Sequence, residues 1–505
     1  MIMNLHYQTL VQKLEEIAHL SGVMSTLGWD QEVMMPAGAS EARAKQLATL
    51  AGVIHDRMTD PALGNCLNEL KENYCEDLNE VERCNIREAR RNFELETKVP
   101  KRLVQELAEL SSRGHSIWVL ARLENKFSDF APVLKHFLEL KKEWAKCVSP
   151  GLLPYDANID LFERGTTTAM ITPIFEHLKA ELIPLIHTIQ NHTYQPDTSF
   201  LQGKFAQHKQ EALARKISQD IGFNLEQGRI DVSVHPFCGG SHPTDVRITT
   251  RYKDNDFVES LYSVIHETGH ALYEQGRPHE IGDLPASESL TMGIHESQSL
   301  FWERMIAQSK PFCLHYFELF RTVFPENLQS ANPDLFYRAI NICKPNFIRV
   351  EADEVTYPLH VILRYEIEKG LFEDSMQVDD LPQIWNELMQ KYLGIQPPNN
   401  ALGVLQDSHW SSGAFGYFPS YTLGAMYACQ FYKTLLSEQP NTEENIAKGN
   451  FAPIKTWLNE KIHRQGKLHN PQELVQLITG ETLNPNYFID YLKNKYSKIY
   501  EVALS

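Results

Sequence analysis

Two histidines four residues apart, His266 and His270, bracket a glutamate in the run His266-Glu267-Thr-Gly-His270. On a helix, side chains at this spacing stand one turn apart on the same face, so both imidazoles can reach one ion. Glu267 lies beside them, where a carboxylate can polarise a water on that ion and take its proton. By composition, such a run arises by chance in at most about one chain in ten. A catalytic zinc site uses three protein ligands and leaves a fourth position open, so one more donor must come from elsewhere. Glu288, Glu296 and Glu303 all fall on the following segment, Pro285 to Ile306, which reads as helical. Spacing alone does not choose among them. Glu296 and Glu303 share a face, so one can be a ligand and the other can stand behind it.

The elements around this run place it. Upstream, Ile230, Val232 and Val234 alternate with Asp231, Ser233 and His235, and Val246 and Ile248 alternate again after a Gly239-Gly240-Ser241 loop; together they predict an antiparallel β-hairpin. Lys253-Asp-Asn-Asp256 then offers caps to a helix with Phe257, Leu261, Val264, Ile265 and Leu272 on one face, and Gly276-Arg277-Pro278 ends it. Elsewhere the apolar spacing is three and four, as from Leu5 to Leu20 and across Leu103–Leu120, Val133–Trp144, Ile171–Ile189, Leu335–Ile342, Leu359–Leu371 and Leu474–Ile478. The fold class expected is therefore mainly α with a small β element beside the His-Glu-x-x-His helix. Pro and Gly punctuate the connections, no flexible linker or repeat interrupts the 505 residues, and one domain over 1–505 is expected.

The formal charge is −17, from 48 Lys+Arg against 65 Asp+Glu, which leaves no general basic excess for a phosphate backbone; no nucleic-acid partner is expected. No apolar run approaches the roughly 20 residues of a membrane span, and no basic segment followed by an apolar one opens the chain, so the expectation is a soluble cytoplasmic protein. The eight cysteines, at 66, 75, 84, 147, 238, 313, 343 and 429, form no close pairs and read as reduced thiols.

Six segments occur in a particular order: His235-Pro-Phe237, Asp245-Val-Arg247-Ile-Thr249, His266-Glu-x-x-His270, His295-Glu296-Ser-Gln298, Ile348-Arg349-Val-Glu-Ala352-Asp353 and Gly403-Val-Leu-Gln406-Asp407-Ser-His409-Trp410. With them the chain resembles the carboxypeptidase Taq family of zinc metallocarboxypeptidases over nearly its whole length. Trp29-Asp-Gln-Glu32, Glu41-Ala-Arg43-Ala and the stretch from Leu483 to Tyr491 add to the likeness. The resemblance implies Glu296 as third ligand, a helical fold of two lobes about a deep groove, and a homodimer. Asn346 departs from it, standing where a small Ala or Ser is expected; after Pro345 it reads as the cap of a helix start.

The activity implied is release of single C-terminal residues from peptides of many sequences, with one divalent ion, Zn2+ or alternatively Co2+. Glu267 would act first as base and then, protonated, as acid toward the leaving amine. The resemblance, extended to related helical zincins, suggests His409 and Tyr421 as donors to the developing oxyanion. A free carboxylate suits a planar guanidinium, and Arg349 is favoured over Arg247, which reads rather as the partner of Asp245. His235 and Gln406 are the remaining candidate substrate contacts, and an extended peptide could add to the strand edge. An oligoendopeptidase or dipeptidyl carboxypeptidase of the same helical design is the alternative, and an inactive zinc-stabilised scaffold a third reading.

Overall fold

The computed structural model describes residues 2–73 and 78–504; Cys75 lies outside them. Every helix expected from the periodicity is present: Ile2–Val33, Lys101–Leu123, Phe127–Val148, Thr168–Gln190, Tyr357–Phe372 and Pro471–Thr479 are longer than expected, and Pro333–Ile340 starts two residues before Leu335 and ends two before Ile342. Some of the added turns are polar or capping residues, while others bring further apolar side chains into the core, such as Phe127 and Phe130 ahead of Val133 and Trp29 beyond Leu20. One large core joins these segments, with Phe137, Leu178, Ile265, Phe301, Leu363, Met426 and Ile499 all fully buried. A smaller cluster of Leu10, Leu14, Leu63, Leu67, Leu70 and Ala89 holds the N-terminal helices together. Among the described residues no helix is long and apolar enough to cross a membrane.

The sheet is mixed, which corrects the expected antiparallel hairpin. Strands β1 (Gly228–Val232), β2 (Cys238–His242) and β3 (Asp245–Thr250) lie in the order β1-β3-β2. The two alternating segments, β1 and β3, are parallel, with Arg229 opposite Arg247 and Ile230 opposite Ile248. The glycine-rich run read as the loop is itself β2, antiparallel to β3 with Gly239 opposite Arg247. Glycine has no side chain to show an in-and-out alternation, so a strand made of Cys-Gly-Gly-Ser-His carries no periodic signal.

Beneath the sheet, Val246 and Ile248 pack with Phe223 and Ala271, seating β3 on the helix Phe257–Gly276. That helix begins where expected, with the Asp256 carboxylate accepting from Glu259 N at 3.0 Å. The N-terminal helix Ile2–Val33 lies across β2: Ser25 Oγ donates to Gly240 O at 2.7 Å. Its Trp29 ring meets two guanidiniums, Arg247 at 4.4 Å and Arg229 at 4.7 Å.

Two other local expectations change. Pro285–Ile306 is not one helix: a short 3-10 turn at Pro285–Ser287 is followed by the helix Met292–Leu300, capped by Thr291, and then a π-helical turn at Phe301–Ala307. Glu288 therefore falls in the connection, where it pairs with Lys467. No helix starts at Asn346 either. Its side chain accepts from Ile348 N at 3.3 Å, a turn closed by the asparagine itself, ahead of the 3-10 turn Arg349–Glu351.

Candidate metal centre

The helix Phe257–Gly276 presents His266 and His270, and the helix Met292–Leu300 brings Glu296 to meet them. One donor atom from each lies within 4.8 Å of the other two. Glu296 Oε2 is 3.4 Å from His270 Nε2 and 3.7 Å from His266 Nε2. This closeness depends on glycine. A Cβ on Gly269 would stand 2.6 Å from Gln298 O, and one on Gly424, from the helix Pro419–Glu438, would stand 2.8 Å from Glu296 Cγ. Bare backbone at both points lets three helices approach until their side chains converge.

The outer nitrogens are tied off. Glu303 Oε2, from the π-helical turn, lies 2.8 Å from His266 Nδ1. His270 Nδ1 lies 2.6 Å from His295 Nδ1. Partners on Nδ1 of this sort, a carboxylate for His266 and an imidazole for His270, leave Nε2 facing the shared site. The charges fit a cation as well. Burial opposes charge on His266, yet Glu296 and Glu303 raise its pKa to about 9, so the carboxylates hold a proton where a divalent ion would replace it. Burial lowers His270 to about 4, leaving it neutral. Glu296 resists its burial and falls to about 2 beside the two histidines. Two imidazoles and a carboxylate form a donor set suited to Zn2+ and other first-row ions.

A family model of the carboxypeptidase Taq (M32) metallopeptidases matches residues 9–496. The chain belongs to this family. Carboxypeptidase 1 of Bacillus subtilis (strain 168) is 40% identical over 487 residues, 96% of this chain and 97% of that protein. Thermostable carboxypeptidase 1 of Thermus thermophilus is 38% identical, covering 98% and 99% of the two chains. The crystal structure of the M32 carboxypeptidase from Deinococcus radiodurans R1 superposes with a TM-score of 0.96 at 36% identity, covering 98% of this chain and all of that one, 100%. The protein is thus a peptide hydrolase of the M32 metallocarboxypeptidases, a family whose chemistry uses a divalent metal.

In this M32 chain Glu267 lies beside the three convergent groups and is only 8% exposed. Burial raises its pKa to about 7; His266 pulls down, and Glu296 and Glu303 push up. Such a carboxyl is poised to take and return a proton near neutrality. Cys238 sits close by on β2, its thiol kept protonated by burial and by Glu267 and Glu274.

A second polar cluster flanks the first. His409 Nε2 and the Tyr421 hydroxyl are 3.3 Å apart, and the Arg349 guanidinium lies 4.5 Å over the Tyr421 ring. Burial lowers His409 to about 4, so it is neutral at ordinary pH. Arg349 is buried and engaged: Nη1 donates to Tyr357 Oη at 2.6 Å, and Nε and Nη2 donate to Asp407 Oδ1 at 3.2 and 2.9 Å. Asp407 also receives Arg364 Nε at 2.6 Å, and the two guanidiniums hold its pKa far below the usual carboxylate range despite burial. Gln406 works on the backbone, accepting from Arg349 N at 2.9 Å and donating to Phe347 O and Leu402 O.

The two remaining candidates stand apart. Arg247 forms a bidentate pair with Asp245, at 2.8 and 2.9 Å, under Trp29. His235 is exposed in the turn before β2, its carbonyl accepting from Ser233 Oγ at 2.6 Å. Sequence reasoning missed Asp407, Arg364, Tyr357 and Glu274 as parts of the site. Asp407 was within reach, since it lies inside a quoted motif, and so was Glu274, four residues beyond His270 on the same helix face; Arg364 and Tyr357 are carried by a helix with nothing distinctive in its spacing.

Proposed function

We propose that the chain is a zinc carboxypeptidase that releases single C-terminal residues from peptides of broad sequence. The observation that carries this reading is the convergence of His266 Nε2, His270 Nε2 and Glu296 with the buried Glu267 carboxyl beside them. Zn2+ held by these three residues, with Co2+ as the alternative, would supply Lewis-acid polarisation of the scissile carbonyl and of the attacking water. Glu267 accepts the proton of that water as the carbonyl is attacked. It then delivers the proton to the leaving amine, so one group serves both halves of the reaction. Its pKa near neutrality supports both roles.

Tyr421 and His409 stand ready to donate to the oxyanion that forms. Arg349 takes the terminal carboxylate in this reading. Three of its five N–H groups are engaged by Tyr357 and Asp407, and the remaining two provide the donors. Gln406 sets its backbone, while Arg247 and His235 shape the approach along β2. The reading further takes residues 1–505 as one catalytic domain, acting as a homodimer in the cytoplasm.

The test is a time course with N-blocked peptides bearing free or amidated C-termini, using wild type and Glu267→Gln loaded with Zn2+ and read by mass spectrometry. Stepwise loss of single residues only from free-acid peptides, and only with wild type, is expected. Internal cleavage of the amidated peptide, or release of dipeptides, overturns the carboxypeptidase assignment in favour of an endopeptidase or dipeptidyl carboxypeptidase.

A further inference from the structure

The two ligand histidines are supported differently. His266 leans on a carboxylate, Glu303, whereas His270 leans on another imidazole, His295. Beyond His295 the chain of contacts continues: Nε2 lies 2.8 Å from Glu274 Oε1, and the other Glu274 oxygen accepts from Arg277 Nη1. Arg277 in turn donates from Nε to Ser287 O at 2.7 Å. Roles along this line follow from donor and acceptor inventory. An ionised carboxylate only accepts, so His295 Nε2 carries the proton that points at Glu274. A neutral imidazole protonated at Nε2 has a lone pair on Nδ1, so His295 accepts there and His270 Nδ1 must donate. The lone pair of His270 Nε2 is then left for the site shared with His266 and Glu296.

We propose that His295 is a positioning residue for the metal, fixing the His270 tautomer through a relay His270–His295–Glu274–Arg277. The relay rests on the metal-centre reading and adds to it a residue that touches neither ion nor substrate. A second observation makes it testable by chemistry rather than by activity. His295, Glu274 and Arg277 line a cavity of about 380 Å³ with Cys238, Gly239 and Ser25, between the N-terminal helix and β2. That space is large enough for a free imidazole to reach the position of a deleted His295 ring.

The experiment measures Zn2+ affinity by competition with a chromophoric chelator for wild type, His295→Ala and His295→Phe, with apoprotein melting temperatures as the control for folding. Both variants are expected to bind Zn2+ about 10–100-fold more weakly, the range for loss of a group supporting a metal-bound histidine. Millimolar imidazole should restore the affinity of His295→Ala and leave His295→Phe, whose ring fills the space, unchanged. Variant affinities within twofold of wild type overturn the relay, and so does equal weakening that imidazole does not relieve, since packing alone would then account for the loss. If His295→Ala does not fold, Glu274→Ala must by itself weaken binding at least tenfold, and an unchanged affinity overturns the proposal. Failure of wild type to bind Zn2+ would instead overturn the metal centre as a whole.

Discussion

Glu303 lies 2.8 Å from Nδ1 of His266 although it stands seven residues beyond Glu296, in a π-helical turn rather than on the regular helix. The wider turn displaces Glu303 around the axis relative to an α-helical continuation, and it reaches the back of one ligand while Glu296 reaches the front. A single stretch of chain thus supplies a candidate ligand and the support of another.

Replacing Glu303 by Gln keeps an acceptor for His266 but removes its charge. Zn2+ affinity should fall about tenfold. Chelator competition reads it directly, and an unchanged affinity would show that Glu303 does not tune His266.

Gly269→Ala places a methyl 2.6 Å from Gln298 O, against backbone that cannot swing aside. A loss of about 1–3 kcal/mol in stability is expected, the usual range for overpacking, together with weaker metal binding as the two ligand helices separate. Gly28→Ala is the matched control: it lies in the helix Ile2–Val33 with nothing within 4 Å of the added methyl, and should be neutral or stabilising by about 0.5–1 kcal/mol. Thermal melts should place Gly269→Ala below wild type and Gly28→Ala at or above it.

Asp407→Asn removes the one carboxylate between Arg349 and Arg364. Two buried guanidiniums left facing each other should cost about 3–5 kcal/mol, seen as a shifted denaturation midpoint with an unchanged slope. Turnover should fall too, because Arg349 and the neighbouring Tyr421 lose their anchor.

Outside the candidate metal centre, Glu163 is fully buried and its pKa is raised to about 7 by that burial, against the pull of Gly293 N, Thr291 and Tyr427. A carboxyl whose folded pKa lies above its unfolded value near 4.5 stabilises most below 4.5, and that contribution is lost as pH rises through 7. Its share is on the order of 3 kcal/mol. Stability of wild type should therefore fall between pH 5 and 8 more steeply than that of Glu163→Gln. Parallel melting curves for the two proteins over this range would refute the assignment.

The local signals in the chain were legible because they are local. Asp256 and Gly276 bound the histidine helix, and the His-Glu-x-x-His spacing points both imidazoles the same way. The long-range features were not. The spacing of Glu274, one turn beyond His270, does not identify His295 as its partner, and the direction of β1 relative to β3 depends on where the five residues between β1 and β2 carry the chain across the sheet. Arg349 looked like a free guanidinium until Asp407 and Tyr357 closed on it. Glu288, Glu296 and Glu303 were equivalent as spacing and became distinct only once a 3-10 turn, an α-helix and a π turn divided the segment.

Ser25 reaches across 215 positions of sequence to close on Gly240. During synthesis at about 5–20 residues per second, the N-terminal helix leaves the ribosome on the order of ten to forty seconds before the strand it covers. Through that interval its sheet-facing side, Trp29 included, has no surface of its own chain to settle on. Refolding from denaturant should therefore show docking of the first helix as a late step, following assembly of the sheet.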